Sequence, residues 1–280
     1  MIKILFPTDF SATADNAFIY AMQICKNYNG ELSVLHSYSS KSSSKSNAAN
    51  ISKDIGAVNS LAASDLFKDQ INKMRQLAIE NDLGQVSLKF FIEEGELVQS
   101  ILDIVSKESI SLIVMGTTGN SGFENKILGS TTVGVINNVD IPVLSIPYLC
   151  KFQEIDAIGF TTVYDNEDAL VLRKMIPYIK SFNADIYCIH VNKGKESKTQ
   201  EEVASWKQQF KQDPVYFIEK NQDDIVKAVF NSIDQYSIDM LSCITRNKSL
   251  FQRVFEGSIA EKLSYHKRIP LLTFHENMFK

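Results

Sequence analysis

Two stretches of this chain nearly repeat each other. Asn29-Gly-Glu-Leu-Ser-Val-Leu-His36 returns 154 positions on as Asn183-Ala-Asp-Ile-Tyr-Cys-Ile-His190, and Phe6-Pro-Thr8 matches Phe160-Thr-Thr162 at the same spacing. Farther along, Ser109-Ile110 returns as Ser237-Ile238, Gly129-Ser130 as Gly257-Ser258, and Ile141-Pro-Val-Leu144 as Ile269-Pro-Leu-Leu272, now 128 positions on. Several matches in one order, with a single length correction, mark a duplicated unit of about 130–150 residues joined near Pro147–Glu154. The first copy carries 26 extra residues. Much of that surplus is the serine- and lysine-rich stretch Ser39–Ser60, which cannot bury much apolar surface and reads as a mobile loop. The chain must therefore build the same core twice.

Each copy alternates strand and helix signals. In the first, Ile2–Phe6, Leu32–His36, Ser87–Ile92, Leu112–Met115 and Val143–Ile146 are short runs rich in branched residues, of buried-strand length. Their nearly continuous apolarity suits a parallel sheet covered on both faces. Ala14, Ala17, Phe18, Ala21, Ile24 and Cys25 share one helical face, with Ser11 or Thr13 as N-cap, and Leu97, Ile101, Ile104 and Val105 share another. The expected fold class is α/β, an open five-stranded sheet with helices on both faces, present in tandem as domains 1–148 and 152–280. Ligands of such sheets bind beyond the carboxyl ends of the strands, where the strand order reverses.

Composition excludes several function classes. A net charge of −4, from 29 Lys+Arg against 33 Asp+Glu, argues against a nucleic-acid partner. The chain has no apolar run of about 18 residues, so no membrane span is expected, and the apolar stretch at Met1–Phe6 is too short for a signal peptide. Cys25, Cys150, Cys188 and Cys243 are far apart with no CxxC, which suits a reducing, cytoplasmic setting. The sequence contains no HExxH, no Cys/His set and no GxSxG, and no GxxxxGK followed by Ser or Thr. No catalytic residue and no protein-built metal site are nominated. Glu93-Glu94, before Gly95 and a helix, read as acidic residues suited to a helix start. His36 and His190, at equivalent strand ends, are expected to share a structural hydrogen-bonding role, and Trp206, in a polar helical stretch, to pack partly against the sheet.

Two places after strands could carry chemistry. One is Pro7-Thr8-Asp9-Phe10-Ser11. The other runs from Met115 to Thr131 and holds Gly116, two residues, Gly119, nine residues, then Gly129-Ser130. Gly116 and Gly119 would let backbone approach a ligand or adopt positive φ. Gly129-Ser130 would set a hydroxyl and free N–H groups at a helix start, where the dipole favours an anion.

The second segment resembles the G-x2-G-x9-G-(S/T) pattern of nucleotide-binding universal stress proteins. The opening ILFPTDFSATADNA, the VLH strand and the closing IPVLSIP also look like that family, over residues 1–148 and more weakly over 152–280. The resemblance implies a strand order of 3-2-1-4-5 in each copy and an ATP or AMP site. Pro7, Thr8 and Asp9 would lie on the nucleoside side and Ser37 beside the base. Met115, Gly116, Thr118 and Gly119 would line the ribose and phosphate path, and Gly129, Ser130 and Thr131 would hold phosphate. Mg²⁺ or Mn²⁺ would accompany the nucleotide. The second copy departs from the pattern: Val163 stands where Asp9 should be, and Ile244 and Asn247 replace the first two glycines, so one competent site and one degenerate copy are expected.

The expected function is an adenine-nucleotide-gated stress-response regulator or interaction module with an unknown protein partner, acting by occupancy rather than as an efficient enzyme. A ligand-free tandem scaffold and a slow ATPase, autophosphorylating at Ser130 or Thr131, are the alternatives. The family's pairing through the last strand implies that Ile141–Ile146 and Ile269–Phe274 meet about a pseudo-two-fold axis, and a homodimer of whole chains is a further expectation.

Overall fold

A computed structural model describes residues 1–38, 60–117, 129–180, 182–192, 200–245, 269–275 and 278. The chain divides into two compact units, Met1–Phe152 and Gln153–Lys280.

In the first unit the branched runs all become strands: β1 (Lys3–Pro7), β2 (Glu31–Tyr38), β3 (Ser87–Glu94), β4 (Leu112–Gly116) and β5 (Val143–Ile146). Every pairing is parallel and the order is β3-β2-β1-β4-β5, the order implied by the family resemblance. The helices are α1 (Ala12–Asn27), α2 (Ser60–Glu80), α3 (Leu97–Glu108) and α4 (Ser130–Ile136). α1 begins where Ser11 accepts the Ala14 N–H at 3.3 Å, and it buries Ala17, Phe18, Ala21, Ile24 and Cys25 against the sheet. Ile4, Leu5, Phe6, Leu32, Leu35, Ile113 and Val114 fill the sheet's middle, which is why these strands carry almost no polar residues.

The crossovers explain the layers. From β1 the chain steps outward to β2 and β3, then returns past β1 to β4 and β5. Right-handed crossovers in opposite directions put α1 and α2 on one face and α3 and α4 on the other. α2 escaped the sequence reading because its apolar residues follow the serine-rich stretch without a visible start signal. Ser60 is its first residue rather than the end of a loop, and residues 39–59 lie outside the described residues.

The second unit follows the same course through β6 (Ala157–Thr161), α5 (Asn166–Lys180), β7 (Asp185–Asn192), α6 (Gln200–Gln209), β8 (Val215–Asn221), α7 (Ile225–Gln235), β9 (Met240–Ile244) and β10 (Leu271–Phe274). Its order is β8-β7-β6-β9-β10, again parallel. Trp206 on α6 is 3% exposed and packs on Tyr164 and Phe210, so it is core rather than partly packed.

The repeat extends to backbone dihedrals. Phe10, Asn29 and Ser109 are left-handed at φ 56°, 51° and 56°, and their counterparts Tyr164, Asn183 and Ser237 at 57°, 55° and 49°. Such a conformation costs a non-glycine residue about 1–2 kcal/mol, so its recurrence at three matched positions shows that the turns themselves are duplicated. The units differ at the α1–β2 turn. A Cβ on Gly30 would sit 2.6 Å from Ile2 Cγ2 and 3.1 Å from Cys25 Cα, whereas the second unit carries Ala184 there, with Asp156 in place of Ile2. Gly30→Ala is expected to lower stability by about 1–3 kcal/mol through overpacking, measured by urea denaturation. An unchanged midpoint would show that Ile2 can move aside.

Candidate functional site

Parallel register brings the carboxyl ends of three strands together. β1 pairs with β4 through Ile4 and Leu112, then Leu5 and Ile113, a register that continues to Pro7 and Thr8 alongside Met115 and Gly116. On its other side Pro7 pairs with Leu35, and the Thr8 N–H donates to the Leu35 carbonyl at 2.9 Å. This puts His36 and Ser37 next to Thr8, with Ser37 also in register with Glu93 on β3. Beyond these ends the β1 loop leaves toward α1 and the β4 loop toward α4, on opposite faces. A crevice between β1 and β4 is the geometric result.

The β1–α1 turn is held by its own side chains. Thr8 Oγ1 accepts the Phe10 N–H at 3.0 Å, and Asp9 Oδ1 accepts the Ser11 N–H at 3.0 Å. Together they stabilise the left-handed Phe10, whose ring lies 4.7 Å from that of His36 and 6.0 Å from that of Phe67. Thr8 and Asp9 stay half-buried, while Pro7 is buried. Phe10 was not nominated from sequence, although an aromatic residue next to the Asp9 position recurs as Tyr164.

His36 is the anchor between strands. Its Nδ1 lies 2.9 Å from the Thr8 carbonyl, so Nδ1 carries the proton and the neutral ring keeps a lone pair at Nε2. That atom is buried and has no partner among the described residues. Burial lowers the His36 pKa below 6.5, with the Thr8 carbonyl and the Asp9 charge opposing the shift. His190 repeats the first contact, Nδ1 to the Thr162 carbonyl at 2.9 Å, but its Nε2 meets Asn192 at 2.8 Å. The shared structural role is present in both units.

At the β4 end Met115 is buried and Gly116 pairs with Ile146 as the last strand residue, in an ordinary extended conformation rather than with positive φ. Gly129 donates its N–H to the Thr117 carbonyl at 2.6 Å, and a Cβ there would stand 2.9 Å from the same oxygen. Glycine is thus required at 129 by close approach, which joins the two ends of the segment. Thr132, buried and not nominated from sequence, donates from Oγ1 to the Gly116 carbonyl at 3.1 Å and ties α4 to β4. Ser130 and Thr131 are exposed in the first turn of α4, where backbone N–H groups have no intrahelical acceptor. Thr118 and Gly119 lie outside the described residues.

One sequence reading changes here. Glu93 and Glu94 finish β3 instead of opening a helix; Glu96 takes the N-cap of α3, without a side-chain cap bond. In the second unit Ile244, at the position of Gly116, is the buried last residue of β9, paired with Phe274. Asn247, Gly257 and Ser258 lie outside the described residues. Among the described residues no helix is long and apolar enough to cross a membrane.

The depressed His36 pKa has a consequence for stability. The unfolded chain binds that proton more readily, so the stabilisation is complete above pH 6.5 and is lost as pH falls through the lower folded value. Wild type is expected to lose unfolding free energy between about pH 7.5 and pH 5, and His36→Gln to lose less of it, by urea denaturation at each pH. Equal slopes for the two proteins would contradict this.

A family model described as the universal stress protein family matches residues 1–147. Two relatives from Methanocaldococcus jannaschii align over 149 residues, 51% of this chain. They are universal stress protein MJ0577, 28% identical with 92% of its length covered, and universal stress protein MJ0531, 30% identical with 79% covered. Among solved structures, a universal stress protein from Archaeoglobus fulgidus matches over 98% of this chain and 96% of its own, with a TM-score of 0.65 at 15% identity, a likeness of fold alone.

Proposed function

The chain belongs to the universal stress protein family, and from that premise we propose that its first unit binds an adenine nucleotide, ATP or AMP, in the crevice between β1 and β4. The observation that carries this reading is the open polar lip of that crevice. Among the described residues the Thr8 hydroxyl proton and the Asp9 N–H have no hydrogen-bond partner, and both residues are half-buried at the end of β1. An adenosine fits such a lip because it offers both acceptor and donor groups beside an aromatic face.

Pro7, Thr8 and Asp9 hold the nucleoside in this reading, and Ser37, one residue beyond His36, borders the base. Met115, Gly116, Thr118 and Gly119 line the path to the phosphates. Gly129, Ser130 and Thr131 bind phosphate oxygens through backbone N–H groups and hydroxyls at the start of α4. A divalent cation, Mg²⁺ or Mn²⁺, arrives with the phosphates, held by them more than by side chains. The second unit, with Val163 and Ile244 in place of Asp9 and Gly116, takes no nucleotide.

Function then follows from occupancy. A nucleotide bridging the loops after β1 and β4 biases a surface read by a protein partner, and it can do so only by its difference in affinity for the two states. Isothermal titration of the whole chain with ATP, ADP and AMP tests this. Wild type is expected to bind at least one of them with one site per chain. Gly116→Val and Gly129→Ala are expected to weaken binding about tenfold or more, by filling the approach and by opening the Gly129–Thr117 contact. Absence of heat with all three nucleotides at millimolar concentration would leave a ligand-free scaffold as the function.

A further inference from the structure

The turn after the first strand is built twice, and the two versions differ by the position of one carboxylate. In unit 2 Thr162 Oγ1 accepts the Tyr164 N–H at 2.9 Å, as Thr8 Oγ1 accepts that of Phe10. Asp165 Oδ1 accepts the Asp168 N–H at 2.6 Å, as Ser11 Oγ accepts that of Ala14. Asp168 therefore stands at the position of Ala14.

Asp168 is 0% exposed. Its Oδ2 accepts two hydrogen bonds, from the Thr162 hydroxyl at 2.9 Å and from the Val163 N–H at 2.8 Å. The third-residue carboxylate of an ordinary capping box returns to the N–H of the cap itself. This one reaches two residues farther back, into the turn. The matching donors in unit 1 are the Thr8 hydroxyl and the Asp9 N–H, which have no acceptor among the described residues.

The exchange is reciprocal. Unit 1 has Asp9 and Ala14, and unit 2 has Val163 and Asp168. Two carboxylates in one partly buried turn would repel, so a carboxylate at the inner position suits an apolar residue at the outer one. A buried carboxylate is tolerated only when its oxygens are hydrogen-bonded, and charge-assisted bonds to a hydroxyl and an amide meet that need.

We propose that Asp168 is a built-in ligand of the second unit: its Oδ2 fills the two-donor fork that the first unit keeps open for an oxygen atom of a bound molecule. The second unit is closed by its own side chain, and the chain carries one exchangeable site. The identity of the molecule in unit 1 rests on the nucleotide reading; the closure of unit 2 does not.

Amide hydrogen exchange by NMR on the whole chain tests the closure without any nucleotide. In wild type the Val163 amide is expected to exchange about tenfold or more slowly than the Asp9 amide, as a charge-assisted bond would give. Asp168→Ala removes that protection, and added formate, a free carboxylate, restores it. Ala14→Asp transplants the carboxylate: the Asp9 amide becomes protected and nucleotide titration of that variant falls to background. If Asp168→Ala fails to fold, Ala14→Asp still decides the matter. Equal exchange of Val163 and Asp9 in wild type, or an Asp9 amide unaltered by Ala14→Asp, would overturn the proposal. A wild type that binds no nucleotide yet shows these exchange differences would instead overturn the nucleotide reading alone.

Discussion

β1 lies between β2 and β4, hydrogen-bonded to both, and the rest of the first unit depends on that placement. Because the chain leaves β1 in one direction and comes back past it in the other, right-handed crossovers distribute the helices over both faces. The same reversal separates the β1 and β4 loops and makes a crevice no single loop could form. His36 secures the arrangement by bonding the carbonyl of Thr8, the first residue beyond β1, from the neighbouring strand. The crevice is thus a consequence of topology, and side chains only decide what it can hold.

Duplication separates backbone from chemistry. The left-handed residues, the His–Thr contact and the Thr-capped turn recur in both units, since each is needed to pass from strand to helix in so little chain. What differs are the side chains after the first and fourth strands of each unit: Gly116 against Ile244, Asp9 against Val163, and Ala14 against Asp168. One substitution alone would leave a repelling pair or an unfilled polar fork. In the second unit the Thr162 hydroxyl and the Val163 N–H meet the buried Asp168 carboxylate instead.

The candidate site was only partly legible in sequence. Asp9 and Gly116 stand out because Asp and Gly after strands are rarely there for packing, and Gly129 because it sits at a helix start. Gly129 earned its place for a reason the sequence did not show, a carbonyl oxygen 2.9 Å from where its Cβ would be. Phe10 and Thr132 were overlooked because an aromatic residue and a threonine carry no motif; their contacts with His36 and Gly116 cross 26 and 16 positions of chain. The acidic pair Glu93-Glu94 looked like a helix cap by spacing, but the β2 register extends β3 through both.

By itself the sequence determined the duplication, the alternation of strand and helix and the polar residues that follow the strands, because these are periodic or local properties that survive without coordinates. Tertiary structure decided which loops face one another, which glycine is indispensable and where the Asp168 carboxylate goes. Those depend on hydrogen bonds and close contacts between atoms whose distances are set only once β1 is seated between its neighbours and the helices are packed against it.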